Sequence, residues 1–357
     1  MIKVLVVDDS LFMRQAVRRV LQVDHHVVVV GEAKDGAEAI EMVQRLGPNV
    51  VTMDFNMPGM TGAEAVRQIM ARRPTPIVML SAVTRAGAAE TLEALAAGAV
   101  DFLPKPSGEV SADLSRIQKE LLAKVHAAAV STPRVQPMAA GGGAPRTSSI
   151  GIPRTTVPPW ASRTLSGIQG RVVLIGISTG GPAALGRLLP MLASDVNFGI
   201  VIVQHMPADF TGPLAERLNE LSAIEVREAK DGDRPRQGLA LVAPGDRHLE
   251  FADGGSVRLS DGPEVNGCRP SADVMMKSGA RVFGRRAVGV IMTGMGRDGT
   301  EGISAIKAAG GATLAQDQES SVIFGMPRAA IEAGAIEHVV PLDALAGMIT
   351  RTATPSG

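Results

Sequence analysis

Short, almost purely apolar runs recur through the first third of the chain, at Ile2–Val7, Val27–Val30, Val50–Met53, Ile77–Leu80 and Val100–Leu103. Between them the apolar residues repeat at the helical period, over Leu11–Leu21, Ala37–Leu46, Thr61–Met70 and Ala86–Ala97. A further helix is expected over Ala112–Ala127. Strands that are apolar on both faces, alternating with amphipathic helices, predict a parallel sheet covered on both sides. Five such units make a doubly wound α/β domain of the flavodoxin-like kind over residues 1–127.

A second domain is expected over residues 170–350. Its buried-strand candidates are Val172–Ile177, Gly199–Val203, Leu239–Ala243 and Ala287–Met292, and its helices Ala183–Leu192, Thr211–Leu221, Ser271–Phe283 and Gly302–Ala309. His248–Ala252 and Ser256–Leu259, joined by Asp253-Gly254-Gly255, predict a hairpin. The whole reads as a Rossmann-like, three-layer α/β domain whose ordered part ends near Met348. Residues 128–169 are rich in Pro, Gly, Ser and Thr, with several Arg and no Asp or Glu. Such a stretch cannot bury enough surface to offset its ordering entropy, so a flexible linker is expected. Its one large aromatic, Trp160, is expected to dock on a folded surface.

Composition narrows the function classes. Hydrophobic residues make up 45 % of 357, enough for two cores, whereas aromatics make up 3 %, with no Tyr. A stacking platform for single-stranded nucleic acid is therefore lacking. Lys plus Arg and Asp plus Glu number 36 each, so no overall field draws the chain to nucleic acid or an anionic membrane. The single cysteine, Cys268, excludes an internal disulfide and fits a reducing compartment. Two acids, Asp8 and Asp9, stand where a signal peptide needs its apolar stretch to continue, and no apolar run reaches transmembrane length. A cytoplasmic protein with no nucleic-acid partner and no direct membrane insertion is expected.

Polar residues cluster at predicted strand ends. Asp8 and Asp9 follow the first strand, Asp54 the third, Ser81 the fourth and Lys105 the fifth. In an open parallel sheet these ends converge on one rim. Close carboxylates repel, and their hard oxygens suit Mg²⁺. One carboxylate can then attack phosphorus while the metal and Lys105 neutralise phosphoryl oxygens and Ser81 donates to one of them. Singly, each of these is an ordinary loop acid or surface lysine; five at coordinated strand ends are harder to dismiss.

The second domain carries Gly176-Ile-Ser178-Thr-Gly-Gly-Pro, a strand, tight turn and helix start that expose Ser178. A serine hydroxyl needs a base to become a nucleophile. His205 follows the next strand, and Asp298 lies in the Gly-rich turn after another, where it can hold the imidazole tautomer. Backbone N–H groups of the two glycine-rich turns can form an oxyanion hole. The plainer alternatives are that Ser178 and Asp298 cap helices, that His205 is a satisfied strand-end histidine, and that His248 is the base instead. The six His show no HExxH or Cys/His cluster, and no GxGxxG or GxxxxGK[ST] loop is present.

Val6-Val-Asp-Asp-Ser10, Met53-Asp54-Phe-Asn-Met-Pro58-Gly-Met-Thr-Gly62 and Lys105-Pro106 resemble the response-regulator receiver domain. That resemblance implies that Asp54 is the phosphoacceptor, that Asp8, Asp9 and Asp54 hold Mg²⁺, and that Phe102 fills the aromatic switch slot alongside Ser81 and Lys105. The Lys105-Pro106 bond is commonly cis in that family. Gly176-Ile-Ser-Thr-Gly-Gly-Pro, Val203-Gln-His-Met-Pro, Ala243-Pro-Gly-Asp-Arg-His-Leu, Arg269-Pro-Ser-Ala-Asp, Met292-Thr-Gly-Met-Gly-Arg-Asp-Gly and Gln316-Asp-Gln-Glu-Ser resemble the chemotaxis protein-glutamate methylesterases. Here the resemblance implies a Ser178/His205/Asp298 triad lined by Thr179 and Met295, with Met295 giving backbone to the oxyanion region. No cofactor is implied for ester hydrolysis. The implied reaction is phosphorylation-activated hydrolysis of glutamate γ-methyl esters on chemotaxis receptors, with glutamine deamidation beside it. The implied phosphodonor is a chemotaxis histidine kinase. The rival reading is a non-catalytic response-regulator adaptor.

Overall fold

The structure, a computed structural model, describes residues 1–81, 85–105, 112–131 and 170–354. Most of the expected linker, Trp160 and Pro106 lie outside these residues.

The amino-terminal sheet contains β1 (Ile2–Val7), β2 (Val27–Ala33), β3 (Val50–Asp54), β4 (Ile77–Ser81) and β5 (Asp101–Pro104) in the order β2-β1-β3-β4-β5. Every pairing is parallel. The helices are α1 (Leu11–Leu21), α2 (Gly36–Leu46), α3 (Gly62–Arg72), α4 (Arg85–Ala96) and α5 (Ala112–Val130). Local chemistry sets their starts: Ser10 and Asp35 cap α1 and α2, and Thr61 and Glu64 form a capping box on α3. Helix α5 continues past Ala127 because Ala128 is buried against β-strand residues such as Val4 and Leu103.

The carboxyl-terminal sheet has seven strands: β6 (Val172–Ile177), β7 (Gly199–Gln204), β8 (Glu225–Glu228), β9 (Leu239–Val242), β12 (Ala287–Ile291), β13 (Ala312–Gln316) and β14 (His338–Val340). A separate antiparallel hairpin pairs β10 (His248–Phe251) with β11 (Val257–Ser260). The seven strands are all parallel, in the order β14-β13-β12-β6-β7-β9-β8. Around them lie α6 (Gly181–Leu188), α7 (Ala208–Leu221), α8 (Ala272–Phe283), α9 (Thr300–Ala308), α10 (Met326–Glu332) and α11 (Leu342–Ala353).

The apolar pattern did not reveal β8, β13, β14, α10 or α11. Strands β8 and β14 are short edge strands with one buried residue each, Val226 and Val340. Strand β13 carries Thr313 and Gln316, both fully buried; their polarity conceals an interior strand. Helix α11 extends beyond Met348 and the expected boundary at 350, since Ile349 and Ala353 sit in the core.

Strand β6 is buried throughout and lies between β12 and β7. Leu174 at its middle packs against α8, where Gly279 leaves room for its Cδ1. Truncating it leaves a cavity at the centre of the layer. Leu174→Ala is expected to cost about 2–5 kcal/mol, read as a lower urea midpoint for exchange protection of the β6 amides with the amino-terminal sheet unchanged.

Candidate active site

The carboxyl-terminal chain starts on β6, winds outward through β7 to β8 at the edge, fills the gap with β9, then returns past the start to β12, β13 and β14. The order reverses between β6 and β12, and a crevice opens beyond the carboxyl ends there. The register Ile177↔Gln204 makes Ser178 and His205 the next residues on adjacent strands. On the other flank Ser178 N–H donates to Thr293 O at 3.0 Å, which draws the loop after β12 against the serine. Gly294 is needed for this approach: a Cβ there would lie 2.7 Å from Ser178 Cβ and 2.4 Å from Met326 Sδ.

His205 Nε2 meets Asp298 Oδ2 at 2.8 Å. The other ring nitrogen, Nδ1, faces Cys268 Sγ at 3.6 Å. The Ser178 hydroxyl makes no hydrogen bond among the described residues, so serine and imidazole are neighbours whose proton-transfer contact is open, as is common without substrate. With Nε2 held by the carboxylate, Nδ1, whose contact with the Cys268 thiol at 3.6 Å is weak, is the nitrogen that can take a proton from Ser178. Asp298 also accepts from Ser271 Oγ (2.6 Å), Ala272 N (2.6 Å) and Asn266 Nδ2 (3.0 Å), so the carboxylate sits at the start of α8, where the helix dipole favours an anion.

Burial opposes both charges here and is overcome in each. It pulls the imidazole down, but its hydrogen bonds with the Asp298 carboxylate and Cys268 raise it to about 10. Burial pushes the Asp298 carboxyl up, but His205, Ser271 and Asn266 hold it below the usual carboxylate range.

His248 is accounted for structurally. It is 2 % exposed, donates from Nε2 to Pro263 O at 2.9 Å and accepts Ser271 N–H on Nδ1 at 3.2 Å. Thr179 Oγ1, next to Ser178, donates to Asp101 Oδ2 of the amino-terminal domain at 2.7 Å. Met295 is half exposed at the crevice mouth. The backbone N–H groups of Thr179, Gly180 and Met295 make no hydrogen bond among the described residues, which leaves them available to an oxyanion.

At the other rim, Lys105 Nζ lies 2.8 Å from both Asp8 Oδ2 and Asp54 Oδ1. Carboxylate oxygens of Asp8, Asp9 and Asp54 fall within 4.8 Å of one another. Burial raises the Asp54 carboxyl, and Asp8 adds to this against the pull of Lys105. A cluster of hard anions with more charge than one ammonium neutralises fits Mg²⁺. Lys105 N–H donates to Ser81 O at 2.7 Å, which sets Ser81 beside this rim, whereas the Phe102 ring faces the other domain. Ser81 Oγ accepts from Thr91 Oγ1 at 2.7 Å, on α4. Phe102 stacks on Phe210 of α7 with ring centroids 4.4 Å apart. Lys124 is 2.8 Å from Asp101 and 5.9 Å from the Phe102 ring centre.

Sequence reasoning missed Asn266, Cys268, Ser271, Gln204 and Asp101. The dipeptide Asn266-Gly267 is a strong turn signal that was there to be read. Gln204, whose Nε2 donates to Ser178 O and His205 O at 3.0 and 3.1 Å, ends an apolar run with no pattern of its own.

Residues 173–349 match the CheB methylesterase model, and residues 4–114 the response regulator receiver domain. A protein-glutamate methylesterase/protein-glutamine glutaminase of Symbiobacterium thermophilum is 46 % identical over 98 % of this chain and 96 % of its own length. The chain belongs to the CheB methylesterase family. A CheB relative of the same description from Pyrococcus horikoshii is also 46 % identical, over 98 % of this chain and 93 % of its own. The crystal structure of the Thermotoga maritima CheB methylesterase catalytic domain superposes with a TM-score of 0.50 at 39 % identity, covering 51 % of this chain and 98 % of that one. This CheB-family chain is a hydrolase with a receiver domain in front. No helix among the described residues is long and apolar enough to cross a membrane.

The His205–Asp298 pair links stability to pH. A His205 value raised from 6.5 to about 10 gives stabilisation that is full below 6.5 and lost as pH rises through about 10. The lowered Asp298 value gives stabilisation present above 3.8 and lost as pH falls toward its folded value. Asp298→Asn is therefore expected to lower the urea midpoint of this domain most between about pH 4 and 6.5, and to flatten its decline toward pH 10.

Proposed function

We propose that this chain hydrolyses glutamate γ-methyl esters on chemoreceptors, releasing methanol, and deamidates receptor glutamines by the same acyl chemistry. The observation that carries this is Ser178 at the switch point beside an imidazole whose far nitrogen is on a buried carboxylate. The relatives' shared description supplies the substrate class. In this reading Ser178 Oγ attacks the ester carbonyl and His205 Nδ1 takes its proton. Asp298 holds Nε2–H and stabilises the imidazolium. Backbone N–H groups at Thr179, Gly180 and Met295 receive the oxyanion. His205 returns the proton to the leaving methoxide or amine, and water then repeats the sequence on the acyl-serine. Only a neutral ring serves as base, so the rate rises with pH through the neutral range. No cofactor enters these steps.

Asp54 is the proposed phosphoacceptor, with a chemotaxis histidine kinase as donor and the cytoplasm as the site of action. Asp8, Asp9 and Asp54 would hold Mg²⁺, which supplies charge neutralisation for the phosphoryl oxygens when bound. Lys105 pairs with the new phosphoryl group, and Ser81 turns to it.

Regulation follows from the contact between domains. Asp101 covers Thr179, and Phe102 is wedged on Phe210, so the docked receiver stands over the crevice. A phosphorylated receiver that withdraws Phe102 toward β4 loses that stacking, and the closed state loses population. The segment 132–169 keeps the two units tethered.

Three variants test these readings. Ser178→Ala, kept folded, is expected to lose at least about a thousand-fold in methanol release from methylated receptor membranes; near-normal release would sink the serine assignment. Asp101→Ala is expected to raise unphosphorylated activity by roughly tenfold, the scale of one lost hydrogen bond to a charged group, and to shrink the response to phosphodonor. Asp54→Asn is expected to show neither label from an acylphosphate donor nor activation. An Asp101→Ala protein no more active than wild type would remove this contact from the account.

A further inference from the structure

The segment from Val265 to Ala272 touches both members of the His205–Asp298 pair, yet the reaction steps above do not say why an asparagine stands in it. Val265 and Cys268 exchange backbone hydrogen bonds of 3.1 and 3.0 Å. Between them Asn266 (φ 55°) and Gly267 (φ 72°) both lie in the left-handed region. This is a two-residue turn that requires positive φ at both central positions, for which Asn-Gly is the favoured pair. It holds the Asn266 carboxamide between two carboxylates: Nδ2 donates to Asp273 Oδ2 at 2.8 Å and to Asp298 Oδ1 at 3.0 Å.

Both acids are almost fully buried, at 1 % and 2 % exposure. Carboxylates this close repel, and in poorly solvated surroundings one of them takes up a proton unless donors intervene. The donors are unequally shared. Asp298 receives His205, Ser271, Ala272 N–H and Asn266, whereas Asp273 receives Gly302 N–H at 2.7 Å and Asn266. The other charged or titratable groups around the pair are Cys268 on His205, Lys277, which acts on both acids and pairs with Glu301 between α8 and α9, and Arg297, which acts on Glu301.

We propose that Asn266 is a positioning residue of the active site: its amide satisfies Asp273 and Asp298 together, so that Asp298 remains the ionised acid facing His205. The split is visible in their surroundings. Burial, reinforced by Asp298, pushes the Asp273 carboxyl up, while Asp298 is held down. The inference rests on the reading of Ser178, His205 and Asp298 given above.

The test uses the full chain. Asn266→Gly accepts the turn's backbone but lacks the amide. Its alkaline plateau of methanol release from methylated receptor membranes is expected to fall about 10- to 100-fold with KM little changed. The midpoint of its pH–rate profile is expected to move down by about one unit, because His205 loses part of its anionic partner. In a Ser178→Ala background, ¹⁵N-histidine NMR should show the His205 ring titrating lower by the same amount. Adding Asp273→Asn should restore both, since no competing acid then remains and the new amide can donate to Asp298. Asn266→Ser, which keeps one donor, should fall between and serves if Asn266→Gly does not fold. A folded variant with the wild-type plateau and midpoint, or a loss that Asp273→Asn does not relieve, would overturn the proposal and leave Asn266 a turn residue. The two readings fail separately. An active Ser178→Ala protein refutes the serine assignment but leaves the NMR titration to decide on Asn266. An inactive one, with a wild-type titration in Asn266→Gly, refutes only the role of Asn266.

Discussion

The hydrogen-bond ladders on the two sides of β6 determine where the chemistry can occur. Strand β6 pairs in parallel with β7 and with β12, so the carboxyl ends of all three face the same way. A serine one residue past the first strand and a histidine one residue past the second become neighbours by register alone. A slip of one residue would turn Ser178 to the other face of the sheet. Everything finer depends on this alignment. Gln204 ties the two strand ends together, and the buried Gln316 accepts Thr293 N–H at 2.9 Å, anchoring the loop that closes the third side.

The polar groups beneath this rim are dense and unequal. Asp298 is surrounded by donors, and His248 has both ring nitrogens engaged in holding the segment that leads into α8. Burying so many polar groups is tolerable only because nearly all have partners. The same density makes the site rigid on the side of the acid and base, while the serine side, bounded by Met295 and the receiver, is where movement is possible.

The sequence made the frame legible to different depths in different places. Strands such as β1, β6 and β7 read as continuous apolar runs because both of their faces are covered, and the residues just after them could be placed on a rim from topology alone. Strand β13 could not be read so, because Thr313 and Gln316 are buried for hydrogen bonding rather than for apolar contact. Asp54, Ser178, His205 and Asp298 were nameable because each ends or follows a recognisable strand. Asn266 and Ser271 were not, since they sit between a hairpin and a helix, and only the folded chain brings them to Asp298. Which imidazole nitrogen faces which partner was likewise beyond reach, because ring orientation depends on Cys268, sixty-three positions away in the chain. The contact of Phe102 with Phe210 had no local signal at all, as it joins two domains whose patterns are independent.

That aromatic contact has a thermodynamic consequence. Phe102 lies in β5, the receiver strand that leads to Lys105, and its ring is also part of the surface that meets α7. A side chain shared in this way gives the two domains one common degree of freedom. Linkage between sites is reciprocal: on the proposed reading, whatever free energy a phosphoryl group at Asp54 contributes to separating the domains, separation must contribute to holding the phosphoryl-competent arrangement. A receptor helix that occupies the crevice and keeps the receiver away would then act backwards on the receiver, favouring its active conformation. In those terms the substrate is itself an effector, and the chain would register the presence of its target as well as the signal from its kinase.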